Sequence, residues 1–317
     1  MNSLKVKKNF NRVIITGASG FIGFALVKKY LDLGYEVYAL IRKDTAKIQL
    51  LNNDKLKVVH CDMEHFSLLD KKISVKGFDA FIHLAWQGVA NEDSRNIDVQ
   101  LANVIYSCDA IRAAKRIECQ KFIFGASIME YEVMKLMETE IPADPRNIYR
   151  TAKIAAHYLT RIIANELAME YNAVIISNVY GKGEISNRFI NLTLRKMLKG
   201  EEIKFSAATQ LYDFIYIDDA INMIVCIAEK GVNNRNYYIG SMEPRVLKDY
   251  IFDMRDCVNT SSELKFGESH EYIGISLNYD ELDITAVYKD LNVKPFYSFK
   301  EGIMCTIDWL KNIEDNI

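Results

Sequence analysis

The sequence predicts an α/β protein: a doubly wound parallel sheet followed by a smaller C-terminal α/β lid. Three observations point there. Through the N-terminal half, apolar strand-like runs alternate with amphipathic helical segments, the pattern of a parallel sheet covered on both faces. The first apolar run, Val13-Ile14-Ile15, feeds the turn Thr16-Gly17-Ala18-Ser19-Gly20-Phe21-Ile22-Gly23, which opens a helical pattern. After about residue 180 the texture changes to polar loops.

Strands are predicted near 12–16, 35–41, 56–60, 78–84, 120–125 and 172–178. Between them fall helices from Phe21 to Leu33, a short one near 65–73, a long one from about 97 to 116, and one from Tyr149 to about Tyr171. Right-handed crossovers between such strands give a doubly wound sheet whose ligand lies at the strands' C-terminal ends. Beyond 180, a helix is predicted near 187–199, and Tyr212-Asp213-Phe214-Ile215-Tyr216-Ile217-Asp218-Asp219-Ala220 leads into another. Pro142, Pro145, Pro244 and Pro295 all fall in predicted loops. The ends, Met1 to about Lys8 and Asn312 to Ile317, are expected to fray.

The 317 residues, half of them hydrophobic, suffice for one large or two modest domains with ample core. A formal charge of -2 argues against nucleic acid or an anionic membrane as the main partner, so a ligand's charge must be met locally. No early stretch has the length and flanks of a signal peptide, and no run approaches the roughly 18 apolar residues of a membrane span. A cytoplasmic location is expected. Cys61, Cys108, Cys119, Cys226, Cys257 and Cys305 are scattered without a C-x-x-C pair or nearby histidines. They read as small buried hydrophobes, with neither disulfide nor metal site expected.

Gly17, Gly20 and Gly23 leave the backbone free to approach a pyrophosphate at a helix N-terminus, where unpaired N–H groups and the dipole favour negative charge. Tyr149 and Lys153 stand four apart in a helical segment and so share one face. A free tyrosine, with a pKa of about 10, is a poor acid at neutral pH unless a cation stabilises its phenolate, and Lys153 supplies one. Ser127 closes the apolar run Lys121-Phe122-Ile123-Phe124-Gly125-Ala126 at the sheet edge where ligands bind. It serves either to bond a substrate oxygen or to cap a loop.

With G-x-x-G-x-x-G near the N-terminus, the Ser127, Tyr149 and Lys153 set resembles the extended short-chain dehydrogenase/reductase family, in its nucleotide-sugar-modifying NAD-dependent epimerase/dehydratase branch. The resemblance implies a Rossmann dinucleotide-binding domain over 1–180. Residues 181–317 are then mainly a substrate-binding lid, with segments near 211–230 returning to the first domain. Catalysis falls to Ser127, Tyr149 and Lys153. Cofactor contacts fall to Gly17, Ser19, Gly20, Phe21, Ile22, Gly23, Arg42, Asp62, Met63, Leu84, Ala85, Trp86, Asn103, Tyr149, Lys153 and Val179. Asp62 corresponds to the acidic residue that touches adenine, and His83-Leu84-Ala85-Trp86 to the H-x-A-A segment beside the pyrophosphate, with Trp86 replacing its small last residue. Asn103 corresponds to the asparagine that helps order that strand end.

Substrate contacts fall to Trp86, Ser127, Asn178, Arg188, Tyr212 and Arg245. Asn178-Val179-Tyr180-Gly181 is similar to the segment along nicotinamide and the substrate's diphosphate. Asp213 to Ala220 is similar to R-D-F-x-x-V-D-D-x-A, but Tyr212 stands where many members place a diphosphate-binding arginine. Arg188 or Arg245 must then provide that contact. Asp218-Asp219 reads also as a helix N-terminal cap. Lys294-Pro295-Phe296 to Glu301-Gly302-Ile303 is similar to the family's closing loop and helix.

The strand Glu36 to Ile41 ends in Arg42-Lys43, not in an acidic residue that would accept from both ribose hydroxyls of NAD. Arg42 suits a 2′-phosphate, which favours NADP(H) over NAD(H); the competing reading is an exposed basic turn. In this family NADPH goes with net reduction. A dehydratase is not expected, because Ile128-Met129 follow Ser127 and Glu130 lies too far along for the eliminating acid. The leading expectation is an NADPH-dependent reductase of a nucleotide-linked 4-keto-(6-deoxy)hexose. The alternatives are an NAD-dependent 4-epimerase, a reductase of a small ketone or aldehyde, and a non-catalytic NADP(H) sensor, against which the Tyr149/Lys153 pair argues. By analogy with relatives, the helices from about Ile97 and from Tyr149 pair into a homodimer. Tyr158, Leu159, Ile162 and Ile163 offer apolar surface either for that or for packing on the sheet.

Overall fold

The computed structural model describes residues 10–42, 48, 51–89, 92–269 and 277–314; Lys43 and the termini 1–9 and 315–317 lie outside them. A seven-stranded sheet organises the first part of the chain. Its elements are β1 (Arg12–Thr16), α1 (Phe21–Asp32), β2 (Glu36–Ile41), β3 (Leu56–His60), α2 (Leu69–Lys72), β4 (Phe78–His83), α3 (Ile97–Arg116), β5 (Cys119–Ser127), α4 (Met129–Leu136), α5 (Ile148–Glu166) and β6 (Glu170–Ile176). Then follow β7 (Asn178–Tyr180), α6 (Phe189–Leu198), β8 (Ile203–Phe205), β9 (Leu211–Tyr212), β10 (Phe214–Tyr216), α7 (Ile217–Lys230), β11 (Arg235–Ile239), β12 (Arg245–Val246), α8 (Leu247–Val258), β13 (Leu264–Phe266), α9 (Ala286–Leu291) and α10 (Phe299–Glu314).

The sheet order is β11-β6-β5-β4-β1-β2-β3, and β1 pairs in parallel with both β2 and β4. Its central strands are apolar where both faces are covered: Ile14, Ile15, Phe81, Ile82, Phe122 and Ile123 are fully buried, while the edge strand β3 is largely exposed. The strand order reverses between β1 and β4, and in open α/β sheets ligands bind outside the strand ends at such a point. Lys121, fully buried in β5, is matched by carbonyls at the C-terminal end of α7: its Nζ donates to Gly231 O at 3.0 Å and Ile227 O at 3.4 Å.

The chain divides into two compact units, one of Met1–Val133, Ile141–Ile175 and Ile224–Tyr237, the other of Met134–Glu140, Ile176–Met223 and Tyr238–Ile317. The second unit contains the two-stranded pairs β10-β7, β12-β9 and β13-β8. Among the described residues no helix is long and apolar enough to cross a membrane.

Several expectations need correction. The helix from Tyr149 ends at Glu166, not near Tyr171, and Tyr171 belongs to β6. Ala168 takes φ +47, with Met169 N–H bonded to Ala164 O and Ala168 N–H to Asn165 O. This is a Schellman stop without the glycine that usually announces one. The run expected over 172–178 is two strands, β6 and β7. Pro145 opens a 3₁₀ turn, Pro145–Asn147, and the last helix continues through Asn312 to Glu314. Cys61, Cys108 and Cys119 are buried, but Cys226, Cys257 and Cys305 are only partly so. Asp218 and Asp219 lie within the first turn of α7, not at its cap. Asp218 pairs with Lys182 at 2.8 Å, and Asp219 accepts the N–H groups of Phe296 and Tyr297 at 2.9 Å each.

Candidate active site

The glycine turn joins β1 to α1. Gly17 has φ +66, and a Cβ there would lie 3.0 Å from Ala85 N; one on Gly23 would lie 2.1 Å from Gly17 O. Gly20, the N-cap of α1, brings no side-chain cap, and the first N–H groups of a helix have no partner within it. Such a cradle fits a dinucleotide diphosphate. Ser19, Phe21 and Ile22 are partly exposed along it, and Arg42 is exposed just after β2. Asp62 is exposed and accepts Met63 N–H at 2.7 Å, capping the 3₁₀ turn Met63–Leu68, while Met63 is buried.

Where β1 and β4 end, one buried relay ties the turn to the β4 loop. Thr16 Oγ1 accepts from Leu84 N at 3.1 Å and Ala85 N at 3.0 Å, and lies 2.9 Å from His83 Nδ1. His83 Nε2 is 3.0 Å from Ser107 Oγ, whose hydroxyl donates to Asn103 O at 2.8 Å. Since Ser107 spends its proton on Asn103, Nε2 must carry the imidazole proton, and Thr16 donates to Nδ1. Burial, and then the Lys153 charge, push the His83 pKa down to about 3, consistent with a neutral ring. Asn103 is fully buried; its amide bonds the N and O of Gln87 at 2.9 Å each and so holds the β4 loop.

Trp86, Tyr149 and Lys153 come together. The Trp86 ring meets Tyr149 edge-on at 6.0 Å and lies 3.9 Å from Lys153 Nζ, while its Nε1–H donates to buried Gln100 at 2.8 Å. Lys153 Nζ donates to Gly125 O at 2.8 Å, tying α5 to the strand that carries Ser127. Burial pushes the Lys153 amine down to about 7, against the Glu130 carboxylate, which favours the ammonium.

Of its two expected roles, the structure shows Ser127 in the capping one. Its Oγ accepts Met129 N–H at 3.3 Å, and its own N–H goes to Glu130 Oε1 at 2.9 Å, a capping box that starts α4. With a lone pair so engaged, the hydroxyl proton is available to a substrate oxygen. Sequence reasoning weighed Glu130 only as an eliminating acid and passed over its capping role and its partner His157; the S-x-x-E spacing was the signal for that cap, and nothing in the sequence marked His157.

In the second unit, Asn178 and Val179 pair in register with Phe214 and Ile215, and Asn178 Nδ2 donates to Asp213 O at 3.1 Å. Val179 is buried. Burial raises the Asp213 pKa, opposed by its hydrogen bonds: Ser241 N donates to it at 2.8 Å, Ser241 Oγ at 2.5 Å and Tyr238 OH at 2.9 Å. Arg245 is the cross-strand partner of Tyr212, so the two side chains share a face of the β9-β12 pair. It also meets Asp253 at 2.9 Å, stacks over Tyr250, and lines a cavity of about 690 Å³ with Tyr180, Phe214 and Phe299. Arg188 is exposed before α6, with Glu184 at 3.7 Å.

A family model for the NAD dependent epimerase/dehydratase family matches residues 13–240. The chain belongs to this family. It is therefore an enzyme family member of the extended short-chain dehydrogenase/reductase type, in which a nicotinamide cofactor is bound. A putative UDP-glucose 4-epimerase of Methanocaldococcus jannaschii is 26% identical over 95% of this chain and 98% of its own. A dTDP-4-dehydro-6-deoxyglucose reductase of Escherichia coli is 26% identical over 92% and 95%, and a CDP-abequose synthase of Salmonella typhimurium 25% over 92% and 95%. Among solved structures, UDP-glucose 4-epimerase of Thermotoga maritima with UDP-glucose superposes with a TM-score of 0.80 at 21% identity, covering 96% of this chain and 99% of that one. UDP-glucuronic acid 4-epimerase of Bacillus cereus, in complex with NAD, gives 0.75 at 21% over 95% and 99%.

Proposed function

We propose that the protein is a cytoplasmic, NADPH-dependent reductase of a nucleotide-linked 4-keto-6-deoxyhexose. The observation that carries this reading is the end of β2, where exposed Arg42 stands in place of an acidic residue. A guanidinium there makes fork-shaped, charge-assisted contacts with a 2′-phosphate, whereas a carboxylate repels it. The reductase among the relatives supports net reduction.

A dihydronicotinamide held at this site would supply a hydride for the ketone carbon. The chain's own residues handle the oxygen: Ser127 donates its hydroxyl proton to orient the carbonyl, and Tyr149 gives its phenolic proton to the developing alkoxide. Lys153, as ammonium, lowers the cost of the phenolate left behind. The Gly17 to Gly23 turn would hold the cofactor's diphosphate, with Asp62 and Met63 toward its adenine and Leu84, Ala85, Asn103 and Val179 shaping or ordering its surroundings. Trp86, beside Tyr149 and Lys153, walls the substrate. Arg245, beside Tyr212, takes the substrate diphosphate in preference to Arg188.

A homodimer completes the reading. Ile97, Leu101 and Ile105 on α3 and Tyr158, Leu159 and Ile162 on α5 are exposed apolar residues, whereas Ile163 is buried in the chain's own core. α3 and α5 pack together, so these stripes belong to one face. Sedimentation at micromolar concentration is expected to give twice the chain mass; a monomer would remove the dimer from the proposal.

The deciding experiment is fluorescence titration of cofactor-stripped protein with NADPH and NADH, after identifying any nucleotide that co-purifies. NADPH is expected to bind at least about tenfold tighter, a preference lost in Arg42→Ala. Retained NAD without such a preference would instead favour the 4-epimerase reading, to which the Methanocaldococcus relative lends support.

A further inference from the structure

Glu130 is only 4% exposed and is bonded through both carboxylate oxygens. Oε1 accepts the Ser127 N–H at 2.9 Å, and Oε2 lies 2.8 Å from His157 Nδ1. A capping box needs only the first of these bonds. The second crosses to α5, where His157 follows Lys153 by four residues and Tyr149 by eight, on the same helix face. The His157 ring stacks on Phe124 of β5 at 5.7 Å, and its Nε2 is 3.3 Å from Asn236 Oδ1. A second bridge runs alongside: Glu132, also 4% exposed on α4, meets Arg150, the neighbour of Tyr149, at 2.8 Å. The short helix after Ser127 is thus joined by two buried carboxylates to the helix bearing Tyr149 and Lys153.

We propose that Glu130 is a positioning residue of the hydride-transfer site, coupling the Ser127 end of β5 to the Tyr149 and Lys153 face of α5 and supplying the anion that supports the Lys153 ammonium. This rests on the catalytic roles given above to Ser127, Tyr149 and Lys153. Ionised carboxylates this deeply buried are stable only when paired and hydrogen-bonded, so Glu130 and the groups it touches form one unit. Lys153 shares its helix face with Tyr149 and His157, couples electrostatically with Glu130 on α4 and His83 at the end of β4, and holds its Nζ 3.9 Å from the Trp86 ring and 5.1 Å from that of Phe124. Glu130 is the carboxylate in this set. Burial already drives the lysine toward its neutral form, and loss of the Glu130 charge drives it further, so the ammonium disappears at lower pH.

The test is Glu130→Gln, whose amide oxygen can accept from Ser127 N–H or from the His157 ring but not both, and which carries no charge. kcat and KM are measured against pH for wild type, Glu130→Gln and Tyr149→Phe on a nucleotide-linked 4-keto-6-deoxyhexose, alongside NADPH affinity and melting. Glu130→Gln is expected to bind NADPH within about threefold of wild type and to lose kcat by about tenfold to a hundredfold at about pH 8. Part of that loss is expected to return at about pH 6, with KM little changed, because the alkaline limb has moved down. In cofactor-free protein, the Ser127 amide is expected to exchange with solvent at least about tenfold faster in Glu130→Ala than in wild type.

A purely structural cap would lower the melting temperature and leave the pH limb in place. Wild-type kcat and pH profile in Glu130→Gln, with Tyr149→Phe inactive, would overturn the inference and leave the catalytic reading standing. Normal turnover by Tyr149→Phe would sink both. Should Glu130→Gln not fold, His157→Gln removes the ring and keeps the charge. It is expected to lower kcat without moving the limb, and an unchanged kcat would overturn the coupling.

Discussion

The unit built on the seven-stranded sheet and the unit built on two-stranded pairs hold their polar groups in different ways. In the first, Thr16, His83, Ser107 and Asn103 pass hydrogen bonds from one to the next where β1 and β4 end, and the glycine turn abuts the β4 loop through backbone atoms. In the second, one buried carboxylate, Asp213, gathers donors from Ser241 and Tyr238, while aromatic rings such as Phe214, Tyr250 and Phe299 fill the space. A cradle fixed by main chain admits few side-chain changes. A cavity fixed by side chains admits many.

The contrast can be broken most severely at Gly23. Its Cβ would fall 2.1 Å from Gly17 O, so Gly23→Ala is expected to cost about 3 kcal/mol in denaturant unfolding and to abolish cofactor binding. Gly267→Ala in the second unit meets nothing within 4 Å and is strained only by its φ of +80, at about 1 kcal/mol. Equal losses at both positions would erase the distinction.

Lys153→Met is expected to abolish turnover while raising stability by about 1–2 kcal/mol at about pH 6. The unfolded lysine keeps its proton up to about pH 10.4, whereas the folded amine gives it up near about 7. Below about pH 7 both states are charged and the fold bears the whole burial penalty; as pH rises toward about 10 that penalty is relieved. The gain seen in thermal unfolding should therefore shrink with rising pH, and a pH-independent gain would contradict a buried, titrating lysine. A smaller effect is expected at Arg245: Arg245→Ala should raise the KM for the nucleotide sugar about tenfold with kcat held, and Arg188→Ala should leave both near wild type. The reverse pattern in initial-rate kinetics would move the diphosphate contact to Arg188.

β1, β2, β4 and β5 could be read from the sequence because strands buried on both faces are continuous apolar runs, and the edge strand β3 from its Val58-Val59 core between polar flanks. β11 could not, since Arg235-Asn236-Tyr237 opens it with polar residues, and the pairs of the second unit, two or three residues long, carry no period to read. The end of α5 was hidden by an alanine doing a glycine's work at position 168. Tyr149 and Lys153 were legible because one helix spaces them. The Glu130 and His157 pair was not, because its members stand 27 residues apart and meet only through packing.

The relay behind the glycine turn has a consequence for how this enzyme can vary. Each of its hydroxyls has one proton to give, so the bonds run in a single direction from Thr16 to His83 to Ser107 to Asn103. Ser107→Ala alone would strand the His83 ring N–H in the core, and Thr16→Val alone would strand the Leu84 and Ala85 amides as well as His83 Nδ1. Each single step is a descent, and only concerted change reaches another satisfied arrangement. These positions are therefore expected to tolerate only concerted substitution, while the aromatic walls of the second unit are expected to tolerate single ones.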